Sequence, residues 1–196
     1  MNHNPDDLIM LFNDLFRESF RTILVKGSHE PEYLPVSEPE GVAKVVFAHG
    51  FFASALHEIA HWCLAGEQRR TLHDYGYWYC PDGRSVEQQR AFEQVEVKPQ
   101  AIEWLFSLAA GSRFHISVDN LAGSGAADDA LFRRNVCDQS ARFLAEGLPP
   151  RAQQFFDVLS SFYGTADRIR EVWYQDRARV MRAAPEHDQT RITEAL

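Results

Sequence analysis

The chain has 196 residues, 45% of them hydrophobic, enough for one globular domain with a buried core. Its net charge of -8 argues against a nucleic-acid backbone as direct partner, since phosphate binding needs clustered Lys and Arg. No apolar run approaches the roughly 20 residues that span a bilayer, and the first residues lack the basic start of a signal peptide, so a cytoplasmic protein with no membrane contact is expected. Cys63, Cys80 and Cys137 are an odd set without C-x-x-C spacing, which predicts reduced thiols rather than disulfides or a zinc ribbon.

In chain order, Leu8, Leu11, Phe12, Leu15, Phe16 and Phe20 recur at helical spacing and predict an amphipathic helix over about 7–20. Residues 23–25, 33–36 and 43–47 read as strands, so the sheet is built early. Phe51 to Ala65 is apolar on nearly all faces apart from Ser54, His57, Glu58 and His61, which predicts a buried central helix with Gly66 as its C-terminal cap.

Asp74 to Arg84, with Tyr75, Tyr77, Trp78 and Tyr79, reads as a short strand or aromatic loop. Ser85 with Gln88 forms a capping box that opens a polar helix to about Gln94. Pro99 disfavours helical geometry at Lys98, so Val95 to Lys98 is expected to be an extended connector before a helix over 100–110. A strand over 114–118, a small-residue loop over 122–127 and helices over 128–146 and 150–163 follow, with Gly111, Gly147 and Gly164 as stops. These elements make an α+β fold: a single domain over 1–165, helices packed around a small mixed sheet, and a helical or partly disordered tail over 166–196 whose arginines form a solvated face.

His57-Glu58-Ile59-Ala60-His61 is H-E-x-x-H. Residues four apart share one helix face, so both imidazoles can reach one ion at about 2.0–2.1 Å. The bare pattern arises by chance in roughly one such chain in fifty, so its context decides. Burying two histidines and a glutamate in an apolar helix costs several kcal/mol unless they are paired or ligate a metal, and the competing reading is a pair of core histidines bonded to backbone.

A third ligand is needed, and Glu93, Glu96 and Glu103 are the nearest downstream carboxylates. Glu96 is preferred because the connector frees its side chain from a helix's solvent face; Glu93 is expected in solvent, and Glu103 is held in reserve. Glu58 points a quarter turn from the histidines and is the candidate catalytic residue, either as general base for a metal-bound water or as an orienting group. His49 is a candidate for the site's edge, or else a turn residue, while His73 and Asp74 read as surface residues. Tyr77, Trp78 and Tyr79 are candidate walls of a substrate pocket for a cationic arm, against ordinary core packing.

Phe47–Phe51, His57–Cys63, Gly76–Arg84 and Val95–Ala101, in that order, resemble the elongation factor P hydroxylase family. The likeness is dense from about Tyr33 to Leu121, thinner to Tyr163, and absent beyond Thr165. It implies a non-haem iron(II) monooxygenase that uses dioxygen to hydroxylate the β-lysylated lysine of elongation factor P. The same likeness makes His57, His61 and Glu96 a two-histidine, one-carboxylate triad with open coordination positions, within a fold like that of a metal-dependent ribonuclease.

The residues by themselves suit iron and zinc equally. Two other readings therefore stand: a zinc-dependent metallopeptidase or nuclease-like hydrolase with Glu58 as base, and a non-catalytic fold stapled by a metal, for which His49 would be the fourth ligand.

Overall fold

A computed structural model describes residues 3–38, 41–74, 86–117 and 126–182, the side chains of 86–90 and 126–129 excepted. Among the described residues, six α-helices and three consecutive strands make an α+β fold: α1 (Pro5–Phe20), β1 (Thr22–Lys26), β2 (Glu32–Leu34), β3 (Ala43–Phe47), α2 (Phe52–Leu64), α3 (Val86–Ala110), α4 (Ala126–Glu146), α5 (Pro150–Tyr163) and α6 (Ile169–Arg182).

Helix α1 begins where Asn4 accepts a hydrogen bond from the Asp6 amide and Pro5 pre-sets the first turn. It buries Leu8, Leu11, Phe12 and Phe16, and Asn13 accepts from the Leu24 amide to tie α1 to β1. The sheet is mixed, in order β1-β3-β2, with β3 parallel to β1 and antiparallel to β2. From β3 the chain turns through Ala48–Gly50, where the Ser54 hydroxyl accepts from the Ala48 amide, and enters α2.

Helix α2 is central. Trp62 on its rear face packs against Phe12, Phe16 and Phe20 of α1 at ring distances of 4.9, 4.8 and 5.5 Å. Its end differs from the expectation for Gly66: the chain leaves through Ala65 in an extended conformation, and Gly66 has no positive φ. Side chains satisfy the last carbonyls instead. Arg151 of α5 donates to Trp62, Cys63 and Ala65, and Arg70 donates to Ala65.

The connector expected at Val95–Lys98 is helical. Helix α3 runs unbroken from Val86 to Ala110 with Pro99 inside it. Pro99 has no N–H for the Val95 carbonyl, a defect that costs about 3 kcal/mol, and the helix continues because residues 101–110 form the middle of the core. Ala101, Ile102, Trp104, Leu105 and Phe106 are fully buried, so tertiary packing overrides the local proline preference.

The strand expected from Phe114 is also absent over the described residues 114–117. Phe114 leaves the sheet pattern to stack on Trp104, with centroids 5.6 Å apart and rings 14° from parallel. Gly111, Gly147 and Gly164 do take positive φ at helix ends, as expected. Helix α6 lies on α3 and α4 through buried Ile169, Trp173 and Val180, while Arg179 pairs with Asp176. The aromatic residues Tyr77, Trp78 and Tyr79, the Ser85 cap, most of the 122–127 loop and the chain beyond Arg182 lie outside the described residues.

Candidate metal centre

His57 and His61 stand one turn apart on α2 and face α3. Their Nε2 atoms are 3.0 Å apart, and their rings meet at 65°. Glu96 completes a triangle, with Oε1 3.1 Å from His61 Nε2 and Oε2 3.7 Å from His57 Nε2. One ligand atom from each of the three falls within 4.8 Å of the others, the only such group of potential metal ligands among the described residues. Two imidazole nitrogens bound side by side at about 2.1 Å would sit about 3.0 Å apart, so the donor set fits a divalent ion with two histidines and one carboxylate.

Glu96 reaches the site because it is on a helix rather than a connector. On α3, Glu96, Gln100, Glu103 and Ser107 form a polar stripe at helical spacing, 8% exposed at most, through an otherwise apolar core. Glu103 Oε2 lies 2.8 Å from His57 Nδ1. Gln100 donates to the Ser117 carbonyl at 2.8 Å and accepts from the Ser117 amide at 3.1 Å, and its amide nitrogen is 3.5 Å from Glu96 Oε2. Sequence reasoning missed Gln100 and Ser117. The stripe itself was the signal, but reading a break at Pro99 hid its period.

Charges balance by proximity. Burial opposes a charge on His57, yet the hydrogen bond and charge of Glu103, with Glu96 and Glu58, outweigh it and push the pKa up to about 10. Burial would raise Glu96, but His61, His57 and Gln100 hold it down to about 2. A cation binding at His57 must therefore displace a proton. Burial raises Glu58, opposed by His57 and His61. Glu58 is half-buried on α2 and outside the ligand triangle.

The remaining candidates sit apart. His49 is exposed, held at φ 51° in the turn before α2, with its ring 5.8 Å from Phe51 and outside the ligand group. His73 pairs with Glu32 at 3.0 Å and Asp74 with Arg69, at the edge of β2. Glu93 lines a cleft of about 550 Å³ between α3 and α4, with Val97, Lys98, Asn135 and Arg142, and none of the triad residues.

Residues 11–173 match the family model described as elongation factor P hydroxylase, so the likeness extends past Thr165 to Trp173. The chain is 50% identical over 169 residues to the elongation factor P lysine hydroxylase of Haemophilus influenzae, spanning 86% of this chain and 94% of that protein. The match covers the sheet, the α2 histidines, the α3 stripe and the Trp104–Trp173 contact together, and the chain belongs to the elongation factor P hydroxylase family.

Proposed function

We propose that this protein is a cytoplasmic, metal-dependent enzyme that hydroxylates a lysine of elongation factor P, with His57, His61 and Glu96 holding iron(II). The observation that carries the metal site is the convergence of two Nε2 atoms and one carboxylate on a single point. The substrate comes from the relative, named as an elongation factor P lysine hydroxylase. Iron(II) supplies the one-electron and dioxygen chemistry that no protein side chain offers.

The chain's own residues do the rest. When an ion binds, His57 and His61 would give it their Nε2 lone pairs from a rigid helix, and Glu96 adds a charge that His61, His57 and Gln100 keep ionised against its burial. Gln100 locks the Ser117 backbone beside Glu96, which fixes one wall of the site. Glu58 is assigned a proton-holding role next to the ligands, where burial favours its protonated form. Tyr77, Trp78 and Tyr79 are assigned the pocket for the cationic β-lysyl arm of the substrate, in keeping with a protein of net charge -8.

The hydroxylase reading is preferred to zinc hydrolysis with Glu58 as base because the family and the relative are both hydroxylases. Incubating β-lysylated elongation factor P with the protein, iron(II), air and a reductant should add one oxygen atom by mass spectrometry, and His57→Ala should abolish the gain. Tightly bound zinc with no change in substrate mass would overturn the reading.

A further inference from the structure

Glu103 is 8% exposed, on the face of α3 that meets α2, and its Oε2 is 2.8 Å from His57 Nδ1. A buried carboxyl group needs a hydrogen-bond donor, and His57 is the donor placed against it. The two nitrogens of an imidazole point in divergent directions. A carboxylate on Nδ1 therefore lies behind the ring, while Nε2 looks toward His61 and Glu96. This geometry sets Glu103 apart from the three converging donors, and it falls outside their group.

We propose that Glu103 is a positioning residue for the metal centre: its carboxylate accepts the Nδ1–H of His57, fixes the tautomer and ring angle, and leaves the Nε2 lone pair for the ion. The inference rests on the metal-binding reading above. In metal sites a carboxylate behind a histidine raises ligand basicity and orients the ring, and its loss weakens binding roughly 10- to 100-fold. The helix provides the placement. Glu96 and Glu103 are seven residues, two turns, apart on one face, so a single rigid element delivers both the ligand carboxylate and the carboxylate that supports a ligand histidine.

The test is titration with cobalt(II), read by visible absorption and by competition with a chelator, for the full-length protein and for Glu103→Ala, Glu103→Gln and His57→Ala. Proton–nitrogen NMR of the zinc(II)-loaded protein reads the His57 Nδ1–H. The expected result is one cobalt ion per chain in the wild type, a roughly 10- to 100-fold weaker constant for Glu103→Ala with band intensity unchanged at saturation, and a smaller loss for Glu103→Gln, which still accepts a hydrogen bond. The Nδ1–H should exchange slowly in the wild type and fast in Glu103→Ala. Glu103→Gln, the isosteric change, keeps the test valid if the alanine variant does not fold.

Wild-type affinity in both Glu103 variants, or an unchanged Nδ1–H, would overturn the positioning role while leaving the metal site intact. A loss of ligand-field intensity at saturation in Glu103→Ala would make Glu103 a ligand and overturn the role as well. Cobalt uptake that His57→Ala leaves unaffected would overturn the metal reading itself.

Discussion

Arg151 of α5 donates to the carbonyls of Trp62 and Cys63 at 3.0 Å each, across almost 90 residues of chain, and so closes the helix that carries His57 and His61. Its guanidinium also lies 4.7 Å from the Trp62 ring. The residue thus caps α2 immediately after His61 and clamps the aromatic packing behind it. Arg151→Ala leaves those carbonyls without their donor and should destabilise the protein by about 2–3 kcal/mol, read as a lower urea midpoint. Arg151→Lys should recover part of the loss, because a single guanidinium nitrogen, Nη2, makes all of these bonds and an ammonium can replace it, while the planar contact with the Trp62 ring is lost. A midpoint unchanged in both variants would show that water satisfies the helix end.

Metal binding should appear as stability. An ion held by His57, His61 and Glu96 binds only the folded chain, so 100-fold excess over its dissociation constant adds about 2.7 kcal/mol. For a domain of this size that is a rise in Tm of roughly 5–10 °C over chelator-treated protein. His61→Ala and Glu96→Ala should each erase the rise, whereas His49→Ala, on an exposed turn outside the ligand group, should keep it. A metal-induced rise that persists in His61→Ala would move the ion elsewhere.

Much of this was legible locally. The early strands, α1, α5 and the apolar α2 with histidines four apart follow from hydrophobic period and helix stops, which are properties of neighbouring residues. Glu96 was singled out for a reason the structure replaces: an extended connector was expected, and a helix face delivers it. Pro99 explains the difference. Its local preference is worth a few kcal/mol, less than the burial of the ten residues that follow, and only the assembled core shows that balance. The Gln100–Ser117 pair, the Arg151 cap and the packing of α6 are contacts between distant segments, which no window of the sequence contains.

The C-terminal helix is fastened through tryptophans. Trp173 donates to the Ser140 hydroxyl at 3.0 Å and lies 5.8 Å from Trp104, whose own N–H donates to Asp176 at 2.9 Å. Trp104 sits one residue after Glu103, so α6 covers the rear of the helix that supplies the site. Trp173→Ala removes a side chain that is 3% exposed and should cost about 3–5 kcal/mol, measured by denaturant unfolding followed by circular dichroism. A cost below 1 kcal/mol would mean that α6 is dispensable to the core.

Pro99 offers a direct test of whether stability is traded for geometry. It lies between Glu96 on one side and Gln100 and Glu103 on the other, inside α3, and it deprives the Val95 carbonyl of its helical partner. Pro99→Ala restores an N–H at a position already helical, a gain of up to about 3 kcal/mol that is partly offset because the buried ring is lost. A net stabilisation of about 1–2 kcal/mol is expected in urea unfolding. Prolines inside helices bend them, so removing this one should shift Glu96 relative to Glu103 and weaken metal binding even as the fold becomes more stable. Measuring the urea midpoint and the cobalt(II) dissociation constant on the same variant separates the two effects. Higher stability with weaker binding means the proline sets the angle of the ligand face; higher stability with unchanged binding means that α3 delivers Glu96 without it.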